Sequence, residues 1–78
     1  MKEHDAVAAI LKEYSRAVAK FPPFRSKHEG YAILLEEVEE LWGIIKSDKE
    51  INTDDLRIEA VHVAAMAYRF LRDCIPDD

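Results

Sequence analysis

Apolar residues recur at intervals of three and four along most of the chain, which is the spacing of one face of an α-helix. In the first segment they run from Val7 to Phe21 and predict a helix from about Glu3 to Lys20. Pro22 and Pro23 should end this helix, because proline disfavours helical backbone at the preceding residue and lacks the N–H that continues a helix.

The second apolar pattern follows Ser26. Ser26 and Glu29 have the spacing of a capping box, in which each side chain satisfies a backbone N–H at the start of a helix. The helix should continue to about Lys46. Its main apolar stripe contains Tyr31, Leu34, Leu35, Val38, Leu41, Trp42 and Ile45.

A third helical pattern follows a polar stretch over residues 47–53, which we interpret as a loop. Asn52 or Thr53 can cap this helix, and the acidic residues 54–55 fall in its first turn, where the helix dipole favours anions. The pattern continues to about Cys74. Since no segment alternates in the manner of a strand, the sequence predicts an all-α fold of three helices.

The length of 78 residues predicts one domain, residues 1–78. A core of this size is marginal for a monomer, and 49% of the residues are hydrophobic. We therefore expect a homo-oligomer. The net charge of −5 argues against a nucleic acid polymer or an anionic membrane as partner, because both require a basic surface.

The chain has one cysteine, Cys74, and no apolar run long enough to span a membrane. A single thiol forms no internal disulfide, so a reducing cytoplasm is the simplest location. The polar start of the chain does not have the pattern of a signal peptide.

Glutamate occupies four of the five positions 36–40 within the second helix. At helical periodicity Glu36 and Glu39 lie opposite the main apolar stripe, where we expect solvated charges. Glu37 and Glu40 fall on a different strip, which they share with flanking isoleucines at 33 and 44. Such a strip is usually covered by another element, so these two carboxylates should be partly buried.

The third helix places Glu59 in its own apolar face, among Val63, Met66 and Phe70, with His62 at the edge of that face. A buried carboxylate requires a partner, because an isolated buried charge is very unfavourable. A salt bridge to arginine is one interpretation of Glu37, Glu40 and Glu59, and a bound divalent cation is the other. For His62 alone, a hydrogen-bonded residue at the edge of the core is the simpler interpretation.

The motif Glu37-x-x-Glu40, then 18 residues, then Glu59-x-x-His62, resembles the MazG-like members of the all-α nucleoside triphosphate pyrophosphohydrolase superfamily. Their pattern is E-x-x-E, a gap, then E-x-x-D. The segments around both halves, 28–37 and 59–67, also resemble that family, and the similarity extends over residues 24–71.

The resemblance implies a three-helix protomer that assembles into helical bundles as a dimer or tetramer. It also implies that Glu37, Glu40 and Glu59 hold Mg²⁺, or Mn²⁺ or another divalent cation, with Glu36 joining through the E-E-x-x-E form. The implied reaction is hydrolysis of a nucleoside triphosphate, ribo or deoxy, to the monophosphate and pyrophosphate.

The sequence departs from the family pattern at the last metal ligand, where His62 replaces aspartate. Imidazole suits Zn²⁺, Mn²⁺, Co²⁺ or Ni²⁺ better than Mg²⁺. Three outcomes are open: catalysis with the glutamates alone, preference for a softer metal, or a degenerate, non-catalytic oligomer that binds nucleotide or a protein partner. No motif assigns a phosphate contact to the basic residues Lys46, Lys49, Arg69 and Arg72.

Overall fold

Three helices make up the fold in the computed structural model, which describes residues 1–47 and 49–77. They are α1 (Glu3–Lys20), α2 (Lys27–Ile45) and α3 (Thr53–Cys74), and no strand occurs among the described residues. The all-helical fold is therefore confirmed. Asp48, within the predicted loop, and Asp78, at the end of the predicted domain, lie outside the described residues.

The helix ends follow from the local signals that predicted them. Phe21, before the proline pair, is extended (φ −118°, ψ 145°) and ends α1. The Ser26 hydroxyl accepts from the Glu29 N–H at 3.0 Å at the start of α2. The Asn52 side chain caps α3 by accepting from the N–H groups of residues 54 and 55. The capping box is not reciprocal, because the Glu29 carboxylate accepts from the N–H and the guanidinium of Arg25.

Helix α3 is the central element, since it packs against both α1 and α2. No Cα atom of α1 lies within 8 Å of a Cα atom of α2. The buried core between the helices is small and consists of Ala17, Phe24, Ala65 and Met66, with the charged Arg69 beside them. The two outer helices therefore do not pack against each other, and a cavity lined by residues of all three helices lies between them.

The connection between α1 and α2 is attached to the end of α3. The Asp73 carboxylate accepts from the Phe24 N–H at 3.0 Å, and the Arg69 guanidinium donates to the Pro22 carbonyl at 3.2 Å. Phe24 is thereby held in the core. These contacts hold residues 22–24 against α3, where they close one end of the space between α1 and α2.

The two apolar strips of α2 have different environments. Ile33, Glu37 and Ile44 are half-buried on the side that faces α3. In the stripe predicted as the main apolar face, the three leucines are half-buried, but Tyr31 and Trp42 are 60% and 56% exposed, and Val38 and Ile45 are also exposed. None of the helices in the described part of the chain is long and apolar enough to cross a membrane.

Candidate metal centre

Three potential ligands from two helices meet where α2 crosses α3. Glu59 and His62 lie one turn apart on α3, and Glu37 faces them from α2. One ligand atom from each residue lies within 4.8 Å of the other two. The Nδ1 atom of His62 is 3.5 Å from Glu37 Oε2 and 3.8 Å from Glu59 Oε2. The structure thus brings together three of the residues that the sequence singled out.

The two carboxylate oxygens that face His62 are buried without a hydrogen-bond partner among the described residues. Burial raises the pKa of Glu37 above its ordinary value, and the nearby Glu40 and Glu59 charges raise it further. Burial also raises the pKa of Glu59, again reinforced by Glu40. The ionised forms of both groups are therefore less favourable than that of an exposed glutamate, although the nearby His62 opposes the shift in both cases.

A third carboxylate approaches His62 from α1. Glu13 Oε1 lies 3.9 Å from His62 Nε2, and the Glu13 carboxylate also forms a two-pronged ion pair with Arg16 at 2.6 and 2.9 Å. The hydrogen bond from Arg16 lowers the pKa of Glu13. The sequence did not predict a role for Glu13, whose helix carries no part of the motif. The only available signal was a glutamate beside the apolar positions of α1.

The other predicted ligands have less enclosed positions. Glu40 is exposed, so the prediction of burial was wrong for this residue, because α3 covers the Glu37 side of the strip and leaves the Glu40 side open. Its carboxylate still interacts with those of Glu37 and Glu59. Glu36 and Glu39 are exposed on α2. Because its carboxylate interacts with those of Glu37 and Glu59, Glu40 is the best candidate of these three residues for an additional metal ligand.

The chemistry of the centre fits a divalent cation. Two buried carboxylate oxygens without partners and one imidazole nitrogen form a set of two hard donors and one borderline donor. Ligands of one such ion at about 2.1 Å can be at most about 4.2 Å apart, and both distances from His62 Nδ1 already meet that limit. Glu40 can supply a further oxygen from the exposed side.

Comparisons with known proteins identify no relative: no family model, curated protein or solved structure matches the chain. The function is therefore inferred from the residues and from the geometry of the centre.

Proposed function

We propose that this protein is a metal-dependent nucleoside triphosphate pyrophosphohydrolase, which converts a nucleoside triphosphate and water to the monophosphate and pyrophosphate. One observation carries the proposal. Glu37 and Glu59 each place a buried carboxylate oxygen, which has no hydrogen-bond partner in the described part of the chain, at the same point between α2 and α3. The motif resemblance adds the reaction class, because these are the positions at which MazG-like enzymes hold magnesium.

The residues have distinct roles in this proposal. Glu37, Glu59 and His62 hold the cation, and the exposed Glu40 completes the set on the solvent side. When bound, a divalent cation neutralises phosphate charge and makes phosphorus more susceptible to attack by water. Glu13 orients His62 from the opposite side, because its oxygen faces Nε2 while Nδ1 faces the other two carboxylates.

The choice of metal follows from His62. Aspartate at this position would offer an anionic oxygen, whereas imidazole offers a neutral nitrogen that Mn²⁺, Zn²⁺ or Co²⁺ accepts more readily than Mg²⁺. We therefore expect hydrolysis to be faster with Mn²⁺ than with Mg²⁺.

The test compares two glutamate substitutions of equal chemistry. Glu59→Gln removes a buried ligand and should reduce pyrophosphate release by about 100-fold or more. Glu39→Gln removes an exposed charge on α2 and should leave the rate within about twofold. Equal rates for Glu59→Gln and the unsubstituted protein would disprove the role of this centre.

A second candidate function is a non-catalytic oligomer that binds nucleotide or a protein partner. The observation in its favour is that His62 lies within 4.0 Å of carboxylates from three helices, so a protonated imidazole can act as an internal cation. In that case the unsubstituted protein is inactive with every metal. His62→Asp should then introduce Mg²⁺-dependent pyrophosphate release, because it restores the anionic ligand.

We also propose that the protein is a homo-oligomer in a reducing cytoplasm. The described residues include four buried apolar side chains but at least thirteen large apolar ones that are exposed. Tyr31, Val38, Trp42 and Ile45 are exposed at helical spacing on α2, with half-buried leucines between them. Cys74 is a free thiol, which suits a reducing compartment.

A further inference from the structure

A groove separates α1 from α2 and has α3 as its floor. It encloses about 490 Å³, which is within the range of about 300–1,000 Å³ typical of small-molecule sites. Glu37 and His62 of the candidate metal centre lie at one part of its lining, and Arg69 and Phe24 lie at another. His62 and Arg69 are seven positions apart on α3, or about 10.5 Å along the helix axis.

Arg69 differs from every other arginine of the chain. Arg16, Arg25, Arg57 and Arg72 each form an ion pair with a carboxylate. Arg69 is only 3% exposed, yet no carboxylate of the described residues lies within 4.0 Å of it. A buried charge without a counter-ion is unfavourable, so this guanidinium requires an explanation.

The known contacts of Arg69 leave most of its hydrogen-bonding capacity unused. A guanidinium has five N–H donors. One is directed at the Met66 sulfur at 3.5 Å and one at the Pro22 carbonyl at 3.2 Å, while Nε has no partner. The Phe24 ring lies 4.2 Å from the guanidinium carbon and holds the group in place. Glu29 and Asp73 are within electrostatic range of Arg69, but each accepts from another arginine.

We infer that the Arg69 end of this groove binds a phosphate group, and that the ligand is a nucleotide whose phosphate chain also reaches the metal centre. The inference rests on the proposed function for the identity of the nucleotide, whereas phosphate binding at Arg69 requires no metal. Glu36 and Glu37 make the other part of the groove negative. The two further arginines in its lining, Arg16 and Arg25, are paired with Glu13 and Glu29. An anion that enters without a cation should therefore bind near Arg69.

The experiment measures thermal unfolding in EDTA with inorganic tripolyphosphate as the probe, at ionic strength matched with sodium chloride. The net charge of −5 repels polyphosphate, so stabilisation requires a local cationic site. About 5 mM tripolyphosphate should raise the unfolding midpoint by about 3 °C or more. Arg69→Met, which keeps the volume and removes the charge, should abolish the shift, and the control Arg57→Gln, at an exposed arginine outside the groove, should retain it.

Two further ligands test whether the bound phosphate belongs to a nucleotide or is inorganic. An α,β-imido nucleoside triphosphate should give a larger shift than tripolyphosphate if the groove holds a nucleotide, and the free nucleoside should give none. If tripolyphosphate and the imido nucleoside triphosphate raise the unfolding midpoint equally, the ligand is inorganic phosphate. That result would overturn the nucleotide part of the inference. No shift of the unsubstituted protein with any phosphate, or an undiminished shift in Arg69→Met, would overturn the site itself.

A readout on the unsubstituted protein covers the case in which Arg69→Met does not fold. The Nε–H resonance of Arg69 should move on addition of tripolyphosphate in EDTA, while that of Arg57, outside the groove, stays in place. An unmoved Arg69 resonance at saturating tripolyphosphate would contradict the inference. Because this assay contains no metal, its failure is distinct from a failure of the proposed hydrolysis, which is measured with metal present.

Discussion

His62 is the residue on which the interpretation of the centre depends. Its two ring nitrogens face carboxylates from α1, α2 and α3, so the imidazole joins all three helices at one point. As a neutral ring it can ligate a metal through Nδ1, and as a cation it can neutralise the carboxylates without one. A neutral His62 predicts that added metal stabilises the protein, whereas a cationic His62 predicts that it does not. The response of stability to metal therefore distinguishes the two states.

Glu37→Gln should stabilise the metal-free protein and make it insensitive to metal. Burial and neighbouring charges raise the pKa of Glu37, so its ionised form opposes folding at neutral pH. The neutral amide should increase the free energy of unfolding by up to about 1 kcal/mol in EDTA. Mn²⁺ should then stabilise the unsubstituted protein but not this variant, as measured by thermal unfolding.

The control for this comparison is Glu39→Gln, which changes the same net charge at an exposed position of α2. It should respond to Mn²⁺ as the unsubstituted protein does. An Mn²⁺ shift of equal size in Glu37→Gln would show that the cation binds elsewhere.

Asp73 should give the protein an acid-labile component of stability. Burial raises the pKa of Asp73, but hydrogen bonds from Arg72 and the Phe24 N–H outweigh it, so the net pKa lies below the ordinary value of 3.8. A folded-state pKa below the unfolded one contributes stability that is present above about pH 3.8 and lost as pH falls through the folded value. Asp73→Asn should therefore be less stable by about 2 kcal/mol near neutral pH.

The measurement is urea unfolding of both proteins over a series of pH values. The difference between them should begin to close as the pH falls through about 3.8, where Asp73 of the unfolded chain binds its proton, and should vanish below the lower pKa of the folded protein. A difference that stays constant across this range would mean that the carboxylate charge contributes nothing.

At the scale of single residues, the sequence predicted part of the candidate metal centre. Helical periodicity placed Glu59 in an apolar face and put Glu37 on a covered strip, because burial within one helix follows from its own pattern. It could not place Glu13 beside His62, since that contact depends on how α1 packs against α3. For the same reason it overestimated the burial of Glu40, whose strip is only partly covered.

At the scale of the helices, the boundaries were predictable and the choice of packing face was not. The signals that end or begin a helix, such as the proline pair and the Ser26 and Asn52 caps, act within a few residues. Helix α2 has apolar residues on more than one strip, and periodicity alone does not say which strip meets α3. In the structure Ile33 of one strip and Leu34 of the other both pack against the core, while Trp42 is left exposed.

Gly30 and Gly43 of α2 should respond in opposite directions to alanine. A Cβ at Gly30 would lie 2.9 Å from Phe70, 3.0 Å from Phe24 and 3.1 Å from the Cys74 sulfur, so the close contact of α2 with α3 requires glycine. Gly30→Ala should therefore destabilise the protein by about 1–3 kcal/mol despite the better helix propensity of alanine.

Gly43→Ala is the matched control on the same helix. A Cβ there meets nothing within 4 Å, so the gain in helix propensity should stabilise the protein by about 0.5–1 kcal/mol. Chemical denaturation of the two variants provides the comparison. A stabilising Gly30→Ala would mean that α2 and α3 are farther apart than described.

For the whole molecule, the dimensions support assembly of more than one chain. The radius of gyration is 13.5 Å and the extents are 44 × 27 × 23 Å. A compact domain of this length would have a radius of gyration of about 11.5 Å. A small core in an elongated protomer leaves apolar surface that a second copy can cover.

In the proposed homo-oligomer, Trp42→Glu should convert the assembly to a monomer, because Trp42 is 56% exposed among the apolar residues of α2. Leu71→Glu is the control, since Leu71 is 64% exposed on α3 rather than on α2, and the variant should keep the assembly. Light scattering after size-exclusion chromatography measures the mass. An unsubstituted protein that elutes as a 9.0 kDa monomer would contradict the oligomer directly.

The most direct test of the central claim is pyrophosphate release from a panel of ribo- and deoxynucleoside triphosphates with Mn²⁺ or Mg²⁺. We expect at least one nucleotide to yield equal amounts of monophosphate and pyrophosphate, with a higher rate in Mn²⁺ and none in EDTA. The absence of pyrophosphate across the whole panel with both metals would contradict the proposed hydrolase and favour the non-catalytic oligomer.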